Sequence, residues 1–190
     1  DSLNLYSKQA IEVFPTNPVF YYLNGLSFYY KKNYEKAIET LETGVNFVVS
    51  NPNLSSEMYS TLGGCYNELK DFKNSDKSYE KALEYMPQNV QVLNNYAYYL
   101  SLRGEQLDRA EEMSKKTIEM FPEEPNYLDT YAWILYKMKK YKEAKNWMQK
   151  AIDISESKTF YLHMAEILKE LGENKESKFY FEKAKTLKED

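Results

Sequence analysis

The feature that most constrains this chain is a row of small residues at a nearly fixed interval. Ala10, Gly44, Ala82, Thr117, Ala151 and Ala184 are separated by 34, 38, 35, 34 and 33 residues. A second row, Gly25, Gly63, Ala97, Ala132 and Ala165, keeps the same register with gaps of 38, 34, 35 and 33. Periods of this size belong to arrays of helical hairpins. A hairpin of short amphipathic helices has more apolar face than it can bury alone, so neighbours must stack. Small residues let the paired helices approach closely. Gly25, Gly63 and Ala97 give that clearance on first helices, and Ala37, Ala82, Ala144 and Ala151 on second helices. Pro15, Pro52, Pro87 and Pro122 are expected just past the ends of second helices, where a residue unable to extend a helix is well placed.

Around these rows, Tyr59-Ser60-Thr61-Leu62-Gly63-Gly64-Cys65-Tyr66, followed by Phe72, Ser75, Tyr79, Ala82 and Pro87, resembles the tetratricopeptide-repeat (TPR) family. The resemblance covers nearly the whole chain and implies an all-α fold, a right-handed superhelical α-solenoid of stacked helix-turn-helix hairpins. Full repeats are drawn at 18–55, 56–89, 90–124, 125–157 and 158–190, as one array over 1–190. Residues 1–17 read as the second helix of a truncated repeat, since Ala10 and Pro15 occupy the places of Ala82 and Pro87. The first repeat carries extra residues near Val48 to Leu54, and the fourth lacks its closing proline. The last helix, about Asn174 to Lys188, is rich in Lys and Glu and reads as a cap. At the other end, Leu3, Leu5, Ile11, Val13 and Phe14 have nothing upstream to cover them, which points to an N-terminal extension or to packing on another molecule.

Charge and composition narrow the function. The net charge is −4 and no segment has a strong excess of either sign, which disfavours nucleic acid binding through a basic face. The densest basic run, Lys137, Lys139, Lys140, Lys142 and Lys145, reads as a solvated turn rather than an anion site. No apolar run approaches the ~18–20 residues that span a bilayer, so no membrane insertion by this segment is expected. His163 is the only histidine and Cys65 the only cysteine, which removes His-rich and Cys-rich metal sites and any intrachain disulfide. Cys65, beside a small-residue position, reads as a buried modest hydrophobe. Gly63-Gly64 sits inside a helix pattern, so no phosphate-cradling loop is present. Neither an enzyme nor a cofactor is expected, and Glu166 with Glu170 reads as a solvated face.

The family resemblance implies that first helices line a concave groove. Carried over position by position, it places Tyr22, Tyr29, Asn67, Asn94, Asn95, Tyr98, Asp129, Trp133, Tyr136 and His163 in that groove, with Lys137 and Glu166 beside them. Such a strip joins aromatic contact area to amides able to pair with a peptide backbone. Tyr98 and Trp133 at the ninth position are expected to be exposed there, whereas Tyr66, Tyr96, Tyr131 and Tyr141 fall at core positions. The fifth positions, Tyr22, Ser60, Asn94, Asp129 and Leu162, offer no lysine, which argues against the carboxylate clamp of chaperone-tail receptors. The stretches Leu93 to Leu100 and Tyr127 to Leu135 resemble bacterial TPR proteins, including envelope-associated lipoproteins, which implies a periplasmic or membrane-tethered setting without excluding the cytoplasm. The expected function is a non-catalytic scaffold that binds a peptide or protein segment. Two alternatives stay open: a structural subunit that self-associates through the N-terminal edge, and a docking region of a longer enzyme.

Overall fold

The computed structural model describes residues 2–187, and among them it contains eleven helices and no strand. The chain divides into two compact units, one ending at Tyr96 and one beginning at Ala97. The first holds α1 (Ser2–Val13), α2 (Pro18–Tyr30), α3 (Tyr34–Val45), α4 (Pro52–Glu68) and α5 (Phe72–Tyr85), together with the start of α6 (Val90–Arg103). The second holds the rest of α6, then α7 (Leu107–Met120), α8 (Pro125–Lys137), α9 (Tyr141–Ile154), α10 (Lys158–Glu170) and α11 (Asn174–Thr186). Each unit is a stack of helical hairpins, as the two rows of small residues require. The expected capping helix corresponds to α11, and Lys188 lies outside the described residues.

Local chemistry sets the helix starts. The side chains of Asn17, Asn33, Asn51, Asp71 and Ser157 each accept a hydrogen bond from a backbone N–H in the first turn that follows. Pro18, Pro52 and Pro125 open α2, α4 and α8, where the missing N–H would have had no helical partner. Pro52 therefore does not close a second helix, as its spacing had implied: α3 ends at Val45, and Pro52 begins the next first helix. The extra residues of the first repeat are divided between the turn after α3 and a lengthened α4 of 17 residues. Position 56, where the second full repeat is expected to start, is preceded by the added first turn of α4.

Each turn from first to second helix contains a left-handed residue. Lys32, Lys70, Gly104, Lys139 and Gly172 have φ of 57°, 62°, 69°, 63° and 78°. Their spacing of 38, 34, 35 and 33 is that of the small-residue row on the first helices, so the turn repeats with the hairpin.

Packing explains the rows of small residues. A Cβ on Gly25 would lie 2.5 Å from Leu41 Cγ, and one on Gly63 would lie 2.7 Å from the ring of Tyr79. Those neighbours cannot yield easily, because Tyr79 is buried and stacks on Tyr96 with ring centroids 5.0 Å apart. Leu41 and Tyr79 hold one repeat position, which is filled by Ser7, Leu41, Tyr79, Ser114 and Met148 along the chain, and all five are buried. In the first unit Leu41 packs with Met58 and Leu62 of α4. In the second, Met148 packs with Phe160, Met164, Ile167 and Leu168 of α10. Tyr96 and Tyr131 are buried as expected, while Tyr66 and Tyr141 are half-buried. Cys65 is fully buried, and that burial pushes its thiol up to about 12.

The α1–α2 seam differs from the others in being polar. Asn24 donates to Ser7 Oγ at 2.9 Å and to the Asn4 carbonyl at 3.3 Å, and Asn4 donates to Ser27 Oγ at 2.7 Å. Leu3, Leu5, Val13 and Phe14 stay exposed and Ile11 is half-buried, so the N-terminal helix presents an apolar outer face.

Two adjacent glycines separate the clearance argument from general helix propensity. Gly63→Ala gains helix propensity but forces a methyl into the Tyr79 ring, and is expected to lower stability by about 1–3 kcal/mol in urea unfolding. Gly64→Ala meets only Tyr29 and Tyr79 at 3.4–3.6 Å and is expected to be neutral or stabilising by up to about 1 kcal/mol. Equal losses at both positions would refute the close-approach explanation.

Candidate functional site

Spacing along α8 puts Asp129, Trp133, Tyr136 and Lys137 on one face, at steps of four, three and one residues. The opposite face, Leu128, Tyr131, Ala132 and Leu135, enters the core with Ala144 and Met148 of α9. This division fixes the orientation of the polar and aromatic face. The next first helix, α10, approaches α8 directly, whereas α9 and α11 are joined by long side chains such as Tyr180, whose hydroxyl donates to Gln149 at 3.3 Å. Within the second unit, the first helices are therefore the closely spaced layer.

Across that layer lies a connected cluster. His163 Nδ1 is 2.7 Å from Asp129 Oδ1, with both side chains about nine-tenths buried. An ionised carboxylate only accepts, so Nδ1 carries the hydrogen in this pairing. The His163 ring stacks on Trp133 with centroids 3.9 Å apart and planes 18° from parallel. Tyr136 stacks on Trp133 in turn, at 4.6 Å and 20°. The Tyr136 hydroxyl donates to Glu166 at 3.2 Å, and Lys137 Nζ lies 4.9 Å from the Trp133 ring centroid and 5.9 Å from that of Tyr136. Burial, then the nearby Glu166 carboxylate, raises the Tyr136 phenol from 10.0 to about 12. The result is a shelf of three rings held at one end by a buried pair and at the other by a phenol–carboxylate bond.

Four of the ten groove residues expected from the sequence, Asp129, Trp133, Tyr136 and His163, meet in this cluster. Trp133 is 7% exposed, so the ninth position holds a buried ring rather than the exposed one expected. His163 and Tyr136 stack on it and Lys137 lies over its ring, and its indole N–H has no hydrogen-bond partner among the described residues. Tyr98, also in the second unit, is half-buried and tilted against Tyr99 at 5.8 Å. The first unit holds the other five. Asn94 is buried, whereas Tyr22, Tyr29, Asn67 and Asn95 are half-buried. Asn95 accepts from Gln91 at 3.1 Å, while the amide oxygens of Asn67 and Asn94 have no hydrogen-bond partner among the described residues. Burial and Glu57 push the Tyr22 phenol up to about 12.

The basic run was expected to be solvated and is instead partly tied to the fold. Lys140 pairs with Glu111 at 2.8 Å, Lys145 pairs with Glu173, and Lys137 lies over the ring shelf. Glu166 is likewise engaged, by Tyr136. Sequence distance alone gave no sign of these partners, which stand 28 to 30 residues apart. Among the described residues, no group of three His, Cys, Asp or Glu side chains is placed to hold a metal ion, and no helix is long and apolar enough to cross a membrane.

Comparison with known proteins agrees with this architecture. Residues 56–89 match the model of the tetratricopeptide repeat, and residues 103–184 match that of subunit 3 of the anaphase-promoting complex, or cyclosome. The type IV pilus assembly protein PilF of Pseudomonas aeruginosa is 25% identical over 150 residues, which cover 76% of this chain and 56% of that protein. The chain thus spans little more than half the length of this curated relative. The solved structure of Pseudomonas aeruginosa PilF superposes with a TM-score of 0.73 at 23% identity, covering 87% of this chain and 73% of that one. A tetratricopeptide repeat protein from Parabacteroides merdae gives 0.76 at 20% identity, over 96% and 70%. MamA from Desulfovibrio magneticus gives 0.72 at 16%, over 90% and 94%. At these identities the structural likeness establishes the fold alone.

The cluster has two measurable consequences. Replacing Asp129 by Leu leaves the His163 N–H buried without its acceptor and is expected to cost about 1–3 kcal/mol in urea unfolding, with the loss largely absent when His163 is also replaced by Leu. Additive losses in that double-mutant cycle would show that the pair does not act as a unit. The Tyr136 phenol, raised in the folded state, adds stability that is fully present below its ordinary value of 10.0 and disappears as pH rises through about 12. A phenolate absorbance titration of Tyr136→Phe should therefore lose a component near pH 12, not near pH 10.

Proposed function

The chain is a tetratricopeptide-repeat protein, and from that premise we propose that it is a non-catalytic scaffold which grips a peptide or protein segment on its first-helix face. Repeats of this family mediate protein–protein interaction. The observation that carries the narrower reading is the ring shelf of the second unit. Tyr136, stacked on the buried Trp133 and His163, forms the accessible edge of a rigid aromatic shelf, and rigid aromatics give contact area at little entropic cost on binding. Lys137 and Glu166 stand beside it as polar edges, the latter exposed. Tyr22, Tyr29, Asn67, Asn94 and Asn95 are proposed to extend the same contact chemistry on the first unit, and Tyr98 on the second.

The relative PilF is named for type IV pilus assembly, which supports a role beside the subunits of a multiprotein assembly and a periplasmic or membrane-tethered setting. The exposed Leu5, Tyr6 and Val13 of α1, with Phe14 just past its end, favour a second reading, in which the chain is itself a subunit joined through its N-terminal helix. Light scattering separates the two, because a monomer at all micromolar concentrations removes self-association.

The groove is tested by substitutions that spare its buried rings. Trp133→Ala would open a cavity and confound binding with folding. Tyr136→Ser with Lys137→Glu alters accessible edges instead. Affinity capture from the source organism, read by mass spectrometry, should recover a partner with the parent chain and lose it with the double variant at matched helical content. Equal recovery by both would overturn the assignment to this face.

A further inference from the structure

A cleft in the first unit opens where the repeat elsewhere carries a large side chain. It takes up about 370 Å³ between α3 and α5, over α4, and is lined by Val45, Tyr59, Leu62, Tyr66 and Ser78. Ser78 stands four residues before Ala82 of the small-residue row, and the same place is held by Thr40, Met113, Trp147 and Tyr180, four before Gly44, Thr117, Ala151 and Ala184. In the second unit that place is filled. Met113 is buried, Trp147 meets Tyr131 edge to face at 5.3 Å, and Tyr180 lies against Tyr161 at 5.7 Å. In the first unit the place falls to two small hydroxyl residues, and a cleft opens at each. The one beside Thr40 has about 240 Å³, with Ile11 and Tyr21 at the registers of Val45 and Tyr59.

The second unit shows what such a cleft accommodates. Tyr161, at the register of Tyr59, has Tyr180 packed on it and is fully buried, whereas Tyr59 is half-buried. The Tyr180 hydroxyl donates to Gln149 at 3.3 Å. At the register of Gln149 the cleft has Glu42, whose carboxylate accepts from Tyr66 at 2.6 Å and, with about four lone-pair sites, can accept again. Lys81, also lining the cleft, stands at the register of Lys183, whose Nζ lies 4.5 Å from the Tyr161 ring centroid. The Ser78 hydroxyl is donated to the Asn74 carbonyl at 2.8 Å, so it makes no demand on an occupant. The ring wall, the acceptor and the cation that surround Tyr180 are therefore all repeated, and only the ring itself is replaced, by serine.

We propose that the α3–α5 cleft is a binding site for the side chain of a tyrosine presented by a partner protein. The ring enters beside Ser78, packs on Tyr59 and Leu62, and donates its hydroxyl to Glu42 as Tyr180 does to Gln149. Both walls and the floor come from residues 42–81, inside the stack, so the site does not turn on what precedes or follows the chain. It does not rest on the ring shelf either.

The free side chain of tyrosine, p-cresol, is titrated into the isotopically labelled chain and followed by amide chemical shifts, with toluene as the same ring without its hydroxyl. Saturable shifts at Leu62 and Ser78 are expected, with p-cresol binding roughly threefold or more tighter than toluene. The peptide acetyl-Gly-Tyr-Gly-amide should bind at least as tightly as p-cresol. Ser78→Tyr supplies the ring from the chain itself and should raise the melting temperature while weakening both probes by about tenfold or more. Glu42 is exposed, so its replacement spares the core. Glu42→Leu should remove the preference for p-cresol over toluene, and Glu42→Gln should keep it. No saturable shift, or shifts unaltered by Ser78→Tyr, overturns the proposal. Unfolding of Ser78→Tyr would also overturn it, by showing that the cleft cannot take the ring. Equal affinity for toluene and p-cresol removes tyrosine as the occupant, and entry of p-cresol without the peptide makes the occupant a free phenol, so either result overturns the assignment to a partner's side chain.

Discussion

The second helices α3, α5 and α9 each carry a large side chain that packs against the following first helix as well as within its own hairpin. At Leu41, Tyr79 and Met148 that side chain is large and fully or almost fully buried. Its burial requires the paired helices to come close, which is why Gly25 lies against Leu41 and Gly63 against Tyr79 with no room for a methyl group. A fully buried side chain of this size contributes about 1.5–3 kcal/mol. No single hairpin can collect that contribution alone, because the covering residues come from its neighbour. Stability is then shared between neighbouring hairpins.

The two ends meet this condition differently. At the N-terminal end, α1 meets α2 through Asn4, Ser7, Asn24 and Ser27, whose hydrogen bonds fix the register of the helices without much apolar burial. Its apolar side chains point outward. At the C-terminal end, α11 keeps Ala184 buried and leaves Phe179 and Phe181 exposed.

On the first-helix face the constraint acts through periodicity. Because Leu128, Tyr131, Ala132 and Leu135 must face α9, Asp129, Trp133, Tyr136 and Lys137 must face the other way. The close approach of α8 and α10 then brings Asp129 and Trp133 against His163. A buried carboxylate and imidazole satisfy one another there, and their pairing sets the angle of the ring that stacks on Trp133. The ring shelf on this face takes its parts from two repeats, so its shape depends on the packing of α8 and α10 as much as on any residue.

Much of this was legible from the amino-acid order. The two rows of small residues establish the hairpin array, the pairing of helices and the core positions at Tyr96, Tyr131 and Cys65, because a repeating contact needs a repeating residue. The family positions also select Asp129, Trp133, Tyr136 and His163 for one face. What the order alone leaves undetermined is depth and partnership. Trp133 is buried because His163 and Lys137 close over it, Pro52 opens a helix because α3 stops at Val45, and Lys140 and Lys145 are drawn into ion pairs by residues 28 to 29 positions away. Periodicity fixes direction around a helix axis, whereas burial and pairing depend on distances between helices. Those distances are set by the packing of neighbouring repeats, so the tertiary structure alone decides them.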